Sequence, residues 1–208
     1  MKLKIYKKND IENKLRTRKL YEECFPNDSE RLVDYYYSVL IKRNIILTLE
    51  DDDIVISMIH LNPYLYSICG EETNIHYLFA IATKQEYRYR GFMKSLINEA
   101  ITYLQDFKEP FCYLAPECPE LEKFYNKYGF YKICNFTFDK FSKDQYDIFP
   151  VRNDEFNDMM KEEQSFLDED PIDYLDGLKN RIVLGKPLRD DISLDFLKSK
   201  RICICNEV

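Results

Sequence analysis

The sequence predicts a mixed α/β fold in which helices pack on a central sheet. Two β-rich runs, 45–49 and 54–61, flank the acidic turn 50–53, which is typical of an antiparallel hairpin. Farther on, a β-rich run at 75–83, a helical pattern and an apolar run at 111–115 follow one another. That order is typical of a crossover between parallel strands. A sheet with both kinds of connection is mixed.

The N-terminal part is expected to hold one strand and two helices. The strand covers 3–6. Asp10 is expected to cap the first helix, whose apolar stripe is Ile11, Leu15, Leu20, Cys24 and Phe25. Ser29 is expected to cap the second, whose stripe is Leu32, Val33, Tyr36, Val39 and Leu40.

The middle of the chain alternates strands and helices. Asn62-Pro63 is expected to end the second hairpin strand, and 69–72 forms a turn. After Gly91 the pattern becomes helical, with Phe92, Leu96, Ile97, Ala100, Ile101 and Leu104 on one side. A further helix around Tyr125 closes at Gly129, and a strand covers 130–138.

Beyond residue 149 the signals are weaker. We expect a helix over 154–166, a turn at Pro171 and a strand over 201–205. The length of 208 residues fits one domain with a modest extension.

The composition excludes several classes of protein. No apolar run approaches the roughly 20 residues that span a bilayer, so we expect no membrane partner and a cytoplasmic location. The 7 cysteines form no C-x-x-C pair, and only 2 histidines are present, so we expect no metal site and reduced thiols.

The net charge of −7 argues against nucleic acid as a partner. The acidic residues are concentrated at 144–176, where 12 acidic and 2 basic residues occur. Such a stretch either attracts cationic substrates or forms a solvated surface.

The segment 83–94 carries the clearest chemical signal. It joins a strand to a helix, and such a turn presents free N–H groups at the positive end of the helix dipole, where phosphate binds. Arg88, Arg90 and Lys94 add positive charge there.

Two motifs resemble those of the GCN5-related N-acetyltransferase (GNAT) superfamily. Arg88 and Gly91 match the acetyl-CoA motif Arg/Gln-x-x-Gly-x-Gly/Ala, with Met93 at a position where a small residue is usual. Pro119 to Phe130 is similar to the second signature, aromatic-Tyr-x-x-x-Gly-Phe. The motif Ala-Thr-x-x-Glu-Tyr-Arg, at residues 82–88, is similar to the sequences of one branch of this superfamily, the enhanced-intracellular-survival aminoglycoside acetyltransferases.

The resemblance implies a GNAT domain over residues 1–140 and a C-terminal extension over 141–208. The sheet would be mostly antiparallel, with helices on both faces and splayed strands that form an acetyl-CoA cleft. Acetyl-CoA would be the cosubstrate. Its pantetheine arm would bond to the backbone of Ile81, Ala82 and Thr83, and its diphosphate would lie at Arg88, Tyr89, Arg90, Gly91, Phe92, Met93 and Lys94.

The resemblance also implies catalytic roles. A neutral primary amine would attack the thioester, a backbone N–H near Ile81 would bind the oxyanion, and Tyr125 would act as general acid. Glu117 is a candidate base, with Glu22 and Glu23 as alternatives and direct attack without a base also open.

Other functions remain open at this point. A non-catalytic acyl-CoA sensor or interaction module would carry the same motifs, and a generic α/β domain could bind another phosphate ligand. The acceptor would be a small-molecule or peptide amine, and a homodimer is left open.

Overall fold

The structure is a computed structural model, and it describes residues 1–135, 143–151 and 181–204. The predicted helix at 154–166, the turn at Pro171 and most of the acidic stretch lie outside these ranges. The chain forms two compact units, one from residues 1–63 and 76–108, the other from 64–75 and 109–208.

The first unit contains strands in the order β1 (Lys2–Tyr6), β2 (Ile45–Asp51), β3 (Ile54–Ile68) and β4 (Glu71–Thr83), of which β3 and β4 extend into the second unit. β1 pairs antiparallel with β2, and β2 pairs antiparallel with β3, with Leu47 opposite Ile59. The predicted hairpin is therefore confirmed.

The predicted first helix is two short helices, α1 (Ile11–Leu15) and α2 (Arg18–Cys24). Leu15, a predicted stripe residue, is 45% exposed, whereas Lys14 and Thr17 are fully buried. The predicted apolar stripe was wrong at Leu15. The helix buries Lys14 and Thr17 instead, because both side chains find hydrogen-bond partners inside the fold. The Lys14 ammonium donates to the Ile41 carbonyl, and the Thr17 hydroxyl bonds to Lys14 and Tyr37.

The second predicted helix is α3 (Glu30–Ser38), and its cap is confirmed because Ser29 Oγ accepts a hydrogen bond from the Leu32 N–H at 3.2 Å. The predicted strand break at Asn62-Pro63 was wrong. β3 continues past this pair to Ile68, because proline interrupts a strand only where its missing N–H is needed by a neighbour.

The long helix after Gly91 is α4 (Phe92–Asp106). All five aliphatic residues of its predicted stripe are buried, namely Leu96, Ile97, Ala100, Ile101 and Leu104, while Phe92 is half-buried. This helix starts directly beside the basic turn and positions its first N–H groups there.

The second unit contains β5 (Phe111–Leu114), α5 (Glu122–Asn126), β6 (Tyr131–Asn135), β7 (Ile148–Pro150), β8 (Ile182–Pro187) and α6 (Leu194–Lys198). β8 lies between β5 and β6 and pairs antiparallel with both, so Gly185 faces Tyr113 on one side and Tyr131 on the other. β7 pairs antiparallel with the end of β3.

The ends of two predicted strands fall outside the described ranges. β6 covers residues 131–135 of the predicted strand at 130–138, Phe130 lies just before it, and residues 136–138 are not described. In the predicted strand at 201–205, Ile202 makes an isolated bridge to Ile148, and residue 205 is not described.

The fold class is confirmed as mixed α/β with mostly antiparallel pairing. Within the described ranges, no helix is both long and apolar enough to cross a membrane. No three His, Cys, Asp or Glu side chains of these same ranges come together as metal ligands. The placement of helices on both faces and the splaying of strands stay predictions.

Candidate acetyl-CoA site

The strand that leads into the basic turn is irregular at Ala80. Ala80 has φ +47° and is buried. Only glycine adopts this left-handed region at little cost, so a buried alanine there is held by its surroundings. The irregularity interrupts the regular pleat of β4 just before Ile81, the predicted oxyanion donor.

The end of β4 has a defined orientation. The Lys84 N–H donates to the Ile56 carbonyl of β3 at 2.9 Å. Because successive residues of a strand direct their backbone groups to alternate sides, the amide groups of Thr83 and Ile81 point away from β3. Of the three residues predicted to bond to the pantetheine arm, Ala82 therefore directs its backbone groups towards β3, whereas Ile81 and Thr83 direct theirs away from it.

Side chains hold the carbonyl groups at this strand end. Ser57 Oγ, which is fully buried, donates to the Ala82 carbonyl at 2.9 Å and lies 2.8 Å from Thr83 Oγ1. Arg88 Nε donates to the Thr83 carbonyl at 3.0 Å. The predicted phosphate residue Arg88 thus uses its side chain within the protein.

The turn before α4 needs a glycine. Gly91 is the N-cap residue of α4 with φ +84°, and a Cβ atom built there meets nothing within 4 Å. The requirement is therefore one of backbone conformation and not of space. The first backbone bond of the helix runs from the Ser95 N–H to the Gly91 carbonyl at 3.0 Å.

The predicted anion site falls at the first turn of α4. In an α-helix the first N–H groups lack partners within the helix, and here they belong to the residues that follow Gly91. Arg88, Arg90 and Lys94 are exposed around them, and the Arg90 guanidinium lies 5.3 Å from the Tyr87 ring centre. Positive charge and helix dipole therefore act at one place.

The remaining predicted residues of the turn differ in exposure. Tyr89, with φ +62°, is fully exposed, whereas Phe92 and Met93 are half-buried. The half-buried Met93 occupies the position where the motif usually has a small residue. The predicted diphosphate residues, from Arg88 to Lys94, thus all belong to the turn and the first helical turn of α4 in the first unit.

Sequence reasoning missed two residues at this strand end, Ser57 and Cys24. Cys24 Sγ lies 3.8 Å from the Thr83 carbonyl oxygen and 3.9 Å from Arg88 Nη2. Burial raises the pKa of the Cys24 thiol, although Arg88 opposes the effect. No spacing in the sequence signals these contacts, because Cys24 and Arg88 are 64 residues apart.

An aromatic cluster lies beside β4. The ring of Phe79, which is half-buried, lies 5.0 Å from Tyr36 and 6.0 Å from Tyr21 between ring centres. The Tyr21 hydroxyl donates to Asp28 at 2.7 Å. Burial raises the pKa of both tyrosines well above the ordinary value, so they stay neutral.

The alternative base candidates on α2 occupy different surroundings. Glu22 pairs with Arg18 at 2.7 Å on the surface. Glu23 lines a pocket of about 230 Å³ together with Lys19, Lys84 and other residues of the first unit. Glu23 is exposed to solvent, and both lysines, each of which carries an ammonium group, line the same pocket.

The second unit holds the other predicted catalytic residues. Tyr125 in α5 is 7% exposed, and its ring packs edge-on against Phe124 and Phe130. The Phe130 N–H donates to the Tyr125 carbonyl at 3.3 Å, which fixes the end of the helix. Glu117, by contrast, is exposed between β5 and α5.

Comparison with known protein families shows to which family the chain belongs. The profile of the Acetyltransferase (GNAT) domain matches residues 5–133, which is more than half of the chain. The chain belongs to the GNAT acetyltransferase family. This is a family of acyltransferases, and the predicted membership is confirmed.

Solved structures of GNAT proteins share the fold at low identity. A probable N-acyltransferase from Enterococcus faecalis is 19% identical, with a TM-score of 0.54 over 64% of this chain and 33% of that one. An aminoglycoside 6'-acetyltransferase type Ii is 13% identical, with a TM-score of 0.57 over 91% and 98%.

Eis1 from Mycobacterium abscessus is 12% identical, with a TM-score of 0.52 over 65% of this chain and 32% of that one. The GNAT chain thus spans about a third of the length of some of these neighbours. The comparison with curated protein sequences gives no significant match.

Proposed function

We propose that this GNAT chain transfers the acetyl group of acetyl-CoA to a primary amine of a small molecule or peptide, by direct attack in a ternary complex. One observation carries the proposal. The Gly91-capped end of α4 follows β4 after the short basic turn 84–90, in a chain that belongs to an acetyltransferase family. A helix end with free N–H groups and exposed cations suits the diphosphate of coenzyme A.

The pantetheine arm is assigned to the backbone of β4. Its amides would bond to Ile81 and Thr83, whose backbone groups point away from β3, while Ala82 supports the strand from the other side. The diphosphate is assigned to the backbone N–H groups from Arg88 to Lys94, including those of Phe92 and Met93.

The reaction proceeds by attack of a neutral amine on the thioester carbonyl carbon. The C–N bond forms as the carbonyl oxygen becomes negative, and the Ile81 N–H donates to that oxygen. Collapse then breaks the C–S bond, and the Tyr125 hydroxyl protonates the departing thiolate. The proton of the attacking amine goes to Glu117 or to solvent.

Finer features of this function stay predictions. They are an Eis-like branch, a domain boundary at residue 140 and a homodimer. A reducing, cytoplasmic location also stays a prediction.

A thiol-release assay tests the proposal. The protein is mixed with acetyl-CoA and a panel of polyamines, aminoglycosides and lysine peptides, and free coenzyme A thiol is followed over time. Release that depends on one amine, with acetylated product detected by mass spectrometry, supports acetyl transfer. Tight binding of acetyl-CoA without release for any amine would instead indicate a sensor, and would contradict the proposal.

A further inference from the structure

We propose that Ser57, Cys24 and Arg88 form a clamp that fixes the end of β4, and that the Arg88 side chain is a positioning residue and not a phosphate ligand. The inference rests on the proposed function, because its consequence is measured as affinity for acetyl-CoA. It concerns residues 82 and 83, which lie directly between the predicted oxyanion donor and the phosphate turn.

The buried part of the clamp is Ser57. Its single hydroxyl proton is used on the Ala82 carbonyl at 2.9 Å, and its oxygen then accepts from the Thr83 hydroxyl at 2.8 Å. This is the arrangement that satisfies both groups at once. Ser57 therefore fixes the rotamer of Thr83 and the peptide plane between Ala82 and Thr83.

The outer part of the clamp is Arg88. Its Nε donor bonds to the Thr83 carbonyl, so the bond closes the loop that contains the short 3-10 helix Gln85–Tyr87. With Nε engaged, the planar guanidinium has one orientation, in which Nη2 is directed to Cys24. The path of the chain from β4 to Gly91 therefore depends on this side chain.

Cys24 connects the clamp to α2. Its half-buried sulfur lies within 4 Å of both the Thr83 carbonyl oxygen and the Arg88 guanidinium. Burial raises the pKa of this thiol, so it is neutral at pH 7 and forms no ion pair with Arg88. The strand end, the phosphate turn and α2 thus meet at one carbonyl group.

Two variants separate positioning from phosphate binding. Arg88→Met keeps an unbranched side chain as far as the Nε position but removes every donor, and Arg88→Gln restores an N–H donor at that position without the charge. Hydrogen exchange of amides 83–90 is measured first in the ligand-free protein. The clamp predicts exchange about tenfold faster in Arg88→Met, since a hydrogen bond to a charged group is lost, and slower exchange again in Arg88→Gln.

Calorimetry with acetyl-CoA completes the test, with Arg189→Met as control for an exposed arginine elsewhere. The clamp predicts a Kd about tenfold higher in Arg88→Met, with rescue in Arg88→Gln. An equal loss of acetyl-CoA affinity in both variants would show that the Arg88 charge binds the phosphates. An exchange rate in Arg88→Met equal to that of the parent would show that the clamp does not exist. Either result overturns the inference. A parent protein that does not bind acetyl-CoA would refute the proposed function, while the exchange data would still decide the clamp.

Discussion

The Lys14 ammonium donates to the Ile41 carbonyl at 2.9 Å although its side chain is fully buried. Burial lowers the pKa of Lys14 from 10.5 to about 8. Between these values the unfolded chain holds a proton that the folded protein has released. The free energy of unfolding therefore gains a contribution as pH rises from about 8 to about 10.5.

Lys14→Met removes the titrating ammonium group, so the variant lacks this pH-dependent contribution to the free energy of unfolding. We expect the difference in unfolding free energy between parent and variant to increase by up to about 3 kcal/mol across that range. Urea denaturation at pH 7.5, 9 and 10 measures it. Differences that are the same at all three pH values would contradict the prediction.

Glu50 anchors β2 to neighbouring elements and gives a second pH dependence. Burial by itself raises the pKa of Glu50, but hydrogen bonds from Tyr6, Lys4 and Thr48 and the charge of Arg16 lower it overall. The stabilisation is complete above the unfolded value of 4.5 and is lost as pH falls through the lower folded pKa.

Glu50→Gln is expected to destabilise the protein by about 2 kcal/mol at pH 7, because half-buried Lys4 and Arg16 lose the buried carboxylate to which both are paired. The penalty should shrink towards pH 3. Asp34→Asn, which removes an exposed carboxylate paired with Arg18, is the control and should cost under about 1 kcal/mol. Equal effects of the two changes would contradict the account of Glu50.

Gly129 ends the turn after α5 with φ +84°, and a Cβ atom there would lie 2.7 Å from Lys186 Nζ. Gly70 has the same φ, but a Cβ atom there meets nothing within 4 Å. We expect Gly70→Ala to cost about 1 kcal/mol of stability from backbone strain alone. Gly129→Ala should cost at least as much, since Lys186 must also move. Thermal denaturation of both variants checks this, and an unchanged Tm for Gly129→Ala would contradict it.

Tyr125→Phe tests the proposed general acid. Loss of acid catalysis is expected to lower kcat by about 100-fold or more, while the Kd for acetyl-CoA changes little. Tyr131→Phe is the matched control, because Tyr131 is 42% exposed in the same unit. Steady-state kinetics with an amine identified in the thiol-release panel measures the effect. A kcat for Tyr125→Phe equal to that of the control would remove Tyr125 from the mechanism.

The parts of the fold that follow local rules could be predicted from the sequence. Ser29 was recognisable as the cap of α3 because a cap depends on a few adjacent residues, and the start of α4 was recognisable because the apolar pattern becomes helical after Gly91. The hairpin of β2 and β3 was recognisable because an acidic turn separates two β-rich runs. The basic turn before α4 was likewise predicted to open a helix, and it does; that this turn binds phosphate stays a prediction.

The parts that depend on distant partners could not be predicted. The burial of Lys14 and Thr17 depends on partners in distant segments, Ile41 and Tyr37, which lie 27 and 20 residues away. Ser57 meets Ala82 across the β3–β4 pair, 25 residues away. Such contacts satisfy buried polar groups only after the chain has folded, so no local pattern records them.

The binding of acetyl-CoA at the Gly91 turn is the central claim, and calorimetric titration of the parent and of Gly91→Glu with acetyl-CoA and with ATP tests it most directly. The variant introduces a carboxylate and a strained φ at the proposed diphosphate site. We predict micromolar binding of acetyl-CoA by the parent, no comparable binding of ATP, and loss of acetyl-CoA binding in a folded variant. A folded parent that does not bind acetyl-CoA, or a variant that binds it as well as the parent, would contradict the account.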